Sequence, residues 1–238
     1  MEIIKKNYER EIIEREIPDR PMRSLRKSIK KTKPVKKPII AEIKPKGPDE
    51  KKSRKIDVEK TAKMFEKYAA GISVLTEPFF FDGNIFYLKV VHDTVRLPVL
   101  RKDFILRKDQ IRESASLYAD AVLLITSCLK EELGKMLDEC DKYGLEALVE
   151  VKNEEEIELA LNFGSKIIGI NNRDLNTLEI DKTKTIRLAG LIPNNITKIG
   201  MSGYSNKKEV NEALKHVDAL LIGKSIMDNP DKLRELVS

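Results

Sequence analysis

The stretch Leu97-Pro98-Val99-Leu100-Arg101-Lys102-Asp103-Phe104-Ile105 passes from an apolar run straight into three consecutive charges. Pro98 opens the run, where a missing N–H costs a sheet little. Val99 and Leu100 read as a short buried strand. Arg101, Lys102 and Asp103 then stand where a buried strand should carry no charge. Burying a charge is costly unless it is paired, so the cluster is either a solvated strand end or a site. Taken alone, a strand running into solvent accounts for it. The fold is decided by the recurrence of this pattern, an apolar run with a charged or polar end, along the chain.

From Pro38 onward the recurrence is regular. Short apolar runs at 38–43, 72–75, 97–101, 121–125, 146–150, 166–170, 196–200 and 219–222 alternate with helical patterns. Those helices are expected at 57–70, 84–92, 108–118, 129–143, 153–163, 181–189 and 206–216, with a last one toward the C-terminus. Gly144 and Gly164 stand where helix C-caps belong, and Asn153 where an N-cap belongs. Unbroken βα alternation implies a parallel sheet. Eight short units predict an α/β protein of the closed (β/α)8 TIM barrel type rather than an open doubly wound sheet. No GxGxxG or GxxxxGK[ST] run appears, which disfavours a dinucleotide or P-loop fold.

Residues 1–37 stand apart from this rhythm. A helix is expected from Tyr8 to Ile17, broken by Pro18 and Pro21. A second short helix over 22–31 would place Met22, Leu25 and Ile29 on one face. The organisation expected is an N-terminal helical extension, 1–37, capping a barrel domain, 38–238.

The 238 residues suit one barrel, and 41% hydrophobic content supplies its core. Aromatics are only 5% and Trp is absent, so that core is aliphatic. Charged residues make up 35%, dominated by Lys and Glu, a composition that suits a hot-growing source. Residues 1–60 hold twenty Lys/Arg against eleven Asp/Glu, within an overall charge of +6. Nine basic residues and no acidic one lie from Arg20 to Lys37. That run fits an electropositive rim drawing in an anionic metabolite. It lacks the interleaved aromatics of a single-strand nucleic-acid platform, so no nucleic-acid partner is expected. Cys128 and Cys140 show no CxxC or Cys/His spacing, so neither a disulfide framework nor a metal site is expected. No run reaches membrane-spanning length and no signal-peptide h-region opens the chain, so the expectation is a soluble, cytoplasmic protein with no membrane partner.

Catalytic groups of such barrels sit at the carboxyl ends of the strands. Those ends read Glu42 and Lys44, Glu77, Lys102 and Asp103, Glu150, Asn171 and Arg173, Ser202-Gly203, and Gly223-Lys224-Ser225. All are expected to converge on one mouth. Two lysines, several carboxylates and an amide in a partly dry cavity suit acid–base chemistry on a polyanionic substrate. Glycines after the seventh and eighth strands, each leading into a helix, suit a phosphate cradle.

Four segments together resemble indole-3-glycerol phosphate synthase: Ile40-Ala41-Glu42-Ile43-Lys44, Ser73-Val74-Leu75-Thr76-Glu77, Pro98 to Ile105, and Gly169-Ile170-Asn171-Asn172-Arg173-Asp174-Leu175. The likeness covers residues 38–230 in order and spacing, and the N-terminal extension has a counterpart in that family. It implies closure of the indole ring of 1-(2-carboxyphenylamino)-1-deoxyribulose 5-phosphate with loss of CO2 and water, without a metal or organic cofactor. By that resemblance Lys102 is the general acid and Glu150 the carboxylate of proton transfer. Lys44 lies near the substrate carboxylate and phosphate, and Glu42 orients and tunes the lysines. Asn171 and Arg173 line the floor. Ser202, Gly203, Gly223 and Lys224 hold the phosphate end, while Phe81 and Phe104 sandwich the anthranilate ring.

The chain also departs from the family's pattern. Met201 stands where a glutamate usually precedes Ser-Gly, Pro45-Lys46-Gly47-Pro48-Asp49 replaces an Arg and Ser-Pro-Ser, and Lys224 stands where a small residue is common. The alternatives are a divergent phosphate-binding barrel with a changed substrate, and a weakened barrel acting as a scaffold for pathway partners. A monomer or weak oligomer is expected.

Overall fold

The computed structural model describes residues 2–174 and 177–238, so Leu175 of the fourth motif lies outside the described residues. Two helices precede the barrel, α1 (Glu2–Glu9) and α2 (Leu25–Thr32). The strands are β1 (Ile39–Ile43), β2 (Gly71–Leu75), β3 (Val99–Lys102), β4 (Ala121–Ile125), β5 (Glu146–Val151), β6 (Ile167–Asn171), β7 (Thr197–Met201) and β8 (Ala219–Ile222). All pair in parallel, and β1 closes on β8 with Ile39 opposite Leu220. The outer helices are α3 (Val58–Glu66), α4 (Tyr87–Thr94), α5 (Lys108–Ser116), α6 (Thr126–Leu129), α7 (Leu133–Lys142), α8 (Glu154–Asn162), α9 (Thr183–Ala189), α10 (Lys207–Ala213), α11 (Lys224–Asp228) and α12 (Lys232–Val237).

Strand β4 shows why continuous apolar runs build this fold. Ala121, Leu123 and Ile125 face the barrel interior, while Val122 and Leu124 face the helices. Successive side chains point to opposite faces, and both faces are buried, so no polar alternation is left to see. The interior cluster adds Ile40, Leu100, Leu148, Ile199 and Leu221, giving the aliphatic core expected from the composition.

The N-terminal segment touches the barrel at both ends. At the floor, Leu25 and Ile29 of α2 are fully buried within the interior cluster. Ser24 caps α2 by accepting from the Lys27 N–H, and the Glu146 carboxylate accepts from Ser24 Oγ at 2.6 Å and from the Leu25 N–H at 2.5 Å. An acidic group at a helix N-terminus satisfies orphan N–H groups and meets the positive end of the dipole. Met22 packs against the outer core rather than beside Leu25 and Ile29. Part of the basic run from Arg20 to Lys37 is consumed here. Arg20 pairs with Asp120 at 2.6 Å, and Arg23 donates to the carbonyls of Val95 and Leu97.

At the mouth the expected helix from Tyr8 to Ile17 does not form; α1 ends at Glu9 instead. The following backbone is bound to the barrel, with Arg10 on Asp103 at 2.9 Å and the Ile13 N–H donating to Glu113 at 2.8 Å. Tertiary partners at these positions outweigh a weak local helical preference. The helix expected over 129–143 is likewise divided: Lys130 takes a left-handed φ of 49° between α6 and α7.

Candidate active site

The carboxyl ends of the strands open into a cavity of about 970 Å³. All twelve residues assigned to the site from the sequence line it: Glu42, Lys44, Phe81, Lys102, Phe104, Glu150, Asn171, Arg173, Ser202, Gly203, Gly223 and Lys224. The alternation of β3 places them. Leu100 and Lys102 share the inner face, whereas Arg101 turns outward and is completely buried against α5.

Lys102 Nζ lies 3.9 Å from Glu150 Oε2 across the mouth. The other oxygen, Glu150 Oε1, accepts from Asn171 Nδ2 at 2.9 Å. Asn171 Oδ1 in turn accepts from Ser202 Oγ at 2.9 Å and from the Arg173 N–H at 3.0 Å. One polar chain therefore joins the ends of β3, β5, β6 and β7. A second pair, Glu42 and Lys44, sits at 3.2 Å at the end of β1. Both glutamates are buried. Lys44 offsets the desolvation of Glu42, while for Glu150 the Asn171 bond does so more than the distant Lys102.

The glycines of the phosphate end differ from one another. Ser202 and Gly203 adopt successive left-handed conformations, φ 71° and 92°. That geometry is unusual for serine and clusters at functional turns. Gly223, at φ −123°, is needed for space rather than for backbone freedom. A Cβ there would overlap Glu42 Oε2. Gly223→Ala is thus expected to push Glu42 off Lys44, lowering kcat about tenfold or more while shifting Tm by only a few degrees. Steady-state rates beside a thermal melt check this; an unchanged rate would remove Glu42 from the site's working geometry.

Of the strand-end residues, Glu77 does not converge on the mouth as expected, and Asp103 does so in a structural part. Glu77 does not line the cavity. It is fully buried, accepts from the backbone N–H groups of Phe79, Phe80 and Phe81, and from Asn7 Nδ2 of α1 at 3.0 Å. It shapes the loop that carries Phe81. Asp103 borders the cavity, but its carboxylate is engaged by Arg101, Arg10 and Thr76. Several lining residues escape a reading of strand ends. Leu123 and Ile125 look like any core residue, although period two along β4 puts them inward. Glu2 and Ile3 reach the cavity from α1, and no local signal marks them.

Met201 is 1% exposed and packs with the interior cluster. Its Sδ lies 3.0 Å from where a Cβ on Gly169 would stand, so Gly169 makes its room. Asn171, opposite Met201 in the pairing of β6 with β7, commits its Nδ2 to Glu150. The site is thus packed around an apolar Met201, with Glu42 and Glu150 each left facing one lysine. Both cysteines are free, and burial pushes the Cys128 thiol up to about 11 and Cys140 up to about 12. Thiols so placed are not nucleophiles near neutral pH. Among the described residues no cluster of metal-ligating side chains is found, and no helix is long and apolar enough to cross a membrane.

The arrangement offers two lysine–carboxylate pairs, an apolar wall with four phenylalanines, and cations at the rim. The family model for indole-3-glycerol phosphate synthase matches residues 2–237. Proteins of that name are similar over most of their length. The one from Methanocaldococcus jannaschii is 47% identical over 220 residues, covering 90% of this chain and 82% of that protein. The Thermococcus kodakarensis protein is 43% identical over 215 residues, covering 86% and 94%. That of Sulfurisphaera tokodaii is 39% identical over 239 residues, covering 99% and 96%. With the barrel, the strand-end residues and this likeness running the length of the chain, it belongs to the indole-3-glycerol phosphate synthase family.

Proposed function

We propose that this chain closes the indole ring of 1-(2-carboxyphenylamino)-1-deoxyribulose 5-phosphate, releasing CO2 and water, as a carboxy-lyase of tryptophan biosynthesis. The observation that carries the assignment of roles is Lys102 facing Glu150 at 3.9 Å above an apolar wall. The Lys102 ammonium donates a proton to the ketone oxygen as the ring carbon bearing the carboxylate attacks the ketone carbon. The bond to CO2 then breaks, and its electrons restore the aromatic ring. A dry, apolar surrounding favours this loss of charge from the carboxylate. Lys102, reprotonated from solvent, gives a second proton to the hydroxyl so that it leaves as water, and Glu150 takes up the proton released as the indole forms.

Asn171 keeps the Glu150 carboxylate aimed at Lys102 through its 2.9 Å bond. Glu42 does the same for Lys44, which attracts the substrate carboxylate. Phe81 and Phe104 flank the aromatic ring. Arg173, Ser202, Gly203, Gly223 and Lys224 receive the phosphate, with backbone N–H groups and cations matching a dianion. A scaffold would need none of these groups together, and nothing in the site favours that reading. The protein is read as acting in the cytoplasm, as a monomer or weak oligomer, with no nucleic-acid or membrane partner. Its two free cysteines suit a reducing compartment.

Purified protein mixed with the substrate is expected to give a rise in indole fluorescence. No rise at any temperature up to its melting point would overturn the assignment.

A further inference from the structure

Residues 45–56 link β1 to α3 and cross the rim of the cavity toward α11. A turn within them is braced by Glu50, whose carboxylate accepts from the Gly47 N–H and from Arg54. The braced turn projects Asp49. Its carboxylate Oδ2 lies 2.6 Å from Lys224 Nζ, and Arg54 adds a second tie to Asp228 at 2.5 Å. Lys224 lines the cavity immediately after Gly223. Arg173, which lines the same cavity, also acts on Asp49 electrostatically. The Lys224 bond first, and the Arg173 charge with it, hold the Asp49 carboxyl below its ordinary value. A carboxylate of the chain itself thus stands among the cations assigned to the substrate phosphate.

We infer that Asp49 is a placeholder anion. It engages Lys224 when no phosphate is bound, and the substrate phosphate displaces it, leaving Arg54–Asp228 as the tie from the 45–56 segment to α11. The inference rests on the reading of Lys224 as part of the phosphate end. The Asp49 and Lys224 side chains are 41% and 48% exposed, and exposed pairs of this kind hold weakly. A phosphate dianion carries twice the charge of a carboxylate and offers three acceptor oxygens, so it wins the exchange. A ligand carrying a single negative charge there gains little over Asp49 and is held less well. Asp49 is therefore a specificity determinant that raises the threshold for anions at this end.

The test uses the full chain, inorganic phosphate as the probe, and Asp49→Asn alone and combined with Lys224→Met. Phosphate binding is followed by calorimetry, and KM by indole fluorescence. Asp49→Asn is expected to bind phosphate about fivefold tighter and to lower KM by a similar factor, and the double variant to lose that gain. Equal or weaker phosphate binding by Asp49→Asn than by the unaltered protein overturns the placeholder and leaves the phosphate assignment standing. If phosphate competes with substrate in none of the proteins, the phosphate end is assigned wrongly and the placeholder falls with it.

Discussion

Lys102→Ala is expected to lower kcat about a thousandfold while Tm stays within a few degrees. The two halves of this expectation have different origins. Ring closure develops negative charge on the ketone oxygen, and an acid held in place there is worth about two to four powers of ten. Lys44 is not free to replace it, because Glu42 holds it at 3.2 Å at the end of β1. Stability changes little because the Lys102 side chain is 22% exposed and its ion pair with Glu150 is long, at 3.9 Å. Removing it leaves Glu150 bonded to Asn171 rather than stranded. Single-turnover fluorescence separates chemistry from product release, and a thermal melt reports folding. A rate within tenfold of the unaltered protein would move the acid elsewhere, with Lys44 as the next residue to test. A raised KM with unchanged kcat would instead make Lys102 a binding group.

The charge cluster after β3 also shows how far a sequence can be read. The eight-unit rhythm was legible because strands buried on both faces appear as short apolar runs. Helix ends were legible where glycine takes φ above zero, as at Gly144 and Gly164. Strand-end logic then reached Glu42, Lys102, Glu150 and Asn171, because topology alone brings those positions to one mouth. The N-terminal segment was not legible in the same way. Its conformation is set by Asp103, Glu113 and Glu146, residues about a hundred positions away. Nor could composition separate Glu77 from Glu150. Both are buried acids at strand ends, and only the path of the 78–81 backbone turns one of them into a loop cap. Arg101 and Lys102 were separable in principle, since adjacent residues of a strand face opposite ways.

That separation gives Arg101 a structural task whose loss should be large. Arg101 is fully buried, and its guanidinium donates to Asp103 Oδ2 at 3.0 Å, Ser114 Oγ at 2.9 Å and the Gln110 carbonyl at 3.0 Å. It also lies 2.9 Å from Glu113 Oε2, off the hydrogen-bond direction. Arg101→Met leaves two buried carboxylates with Arg10 as the cation remaining on Asp103. Stranding buried charge in this way costs about 3–5 kcal/mol. In a barrel of this size that is a fall in Tm of about 10 °C or more. Acid should reveal the cause. Burial alone would raise the Asp103 carboxyl, but Arg101 and then Arg10 more than offset it, holding it below its ordinary 3.8. A lowered carboxyl stabilises the fold fully above that ordinary value, and the contribution is lost as pH falls through the folded one. The unaltered protein should therefore keep this contribution down to about pH 4. In Arg101→Met the carboxyl rises, so the loss of Tm on acidification begins at higher pH. Arg101→Lys keeps the charge without the fork and should fall between the two. Melts recorded across the acid range decide it. An Arg101→Met protein that melts within two or three degrees of the original, with the same acid limb, would show that the network is not what holds the end of β3.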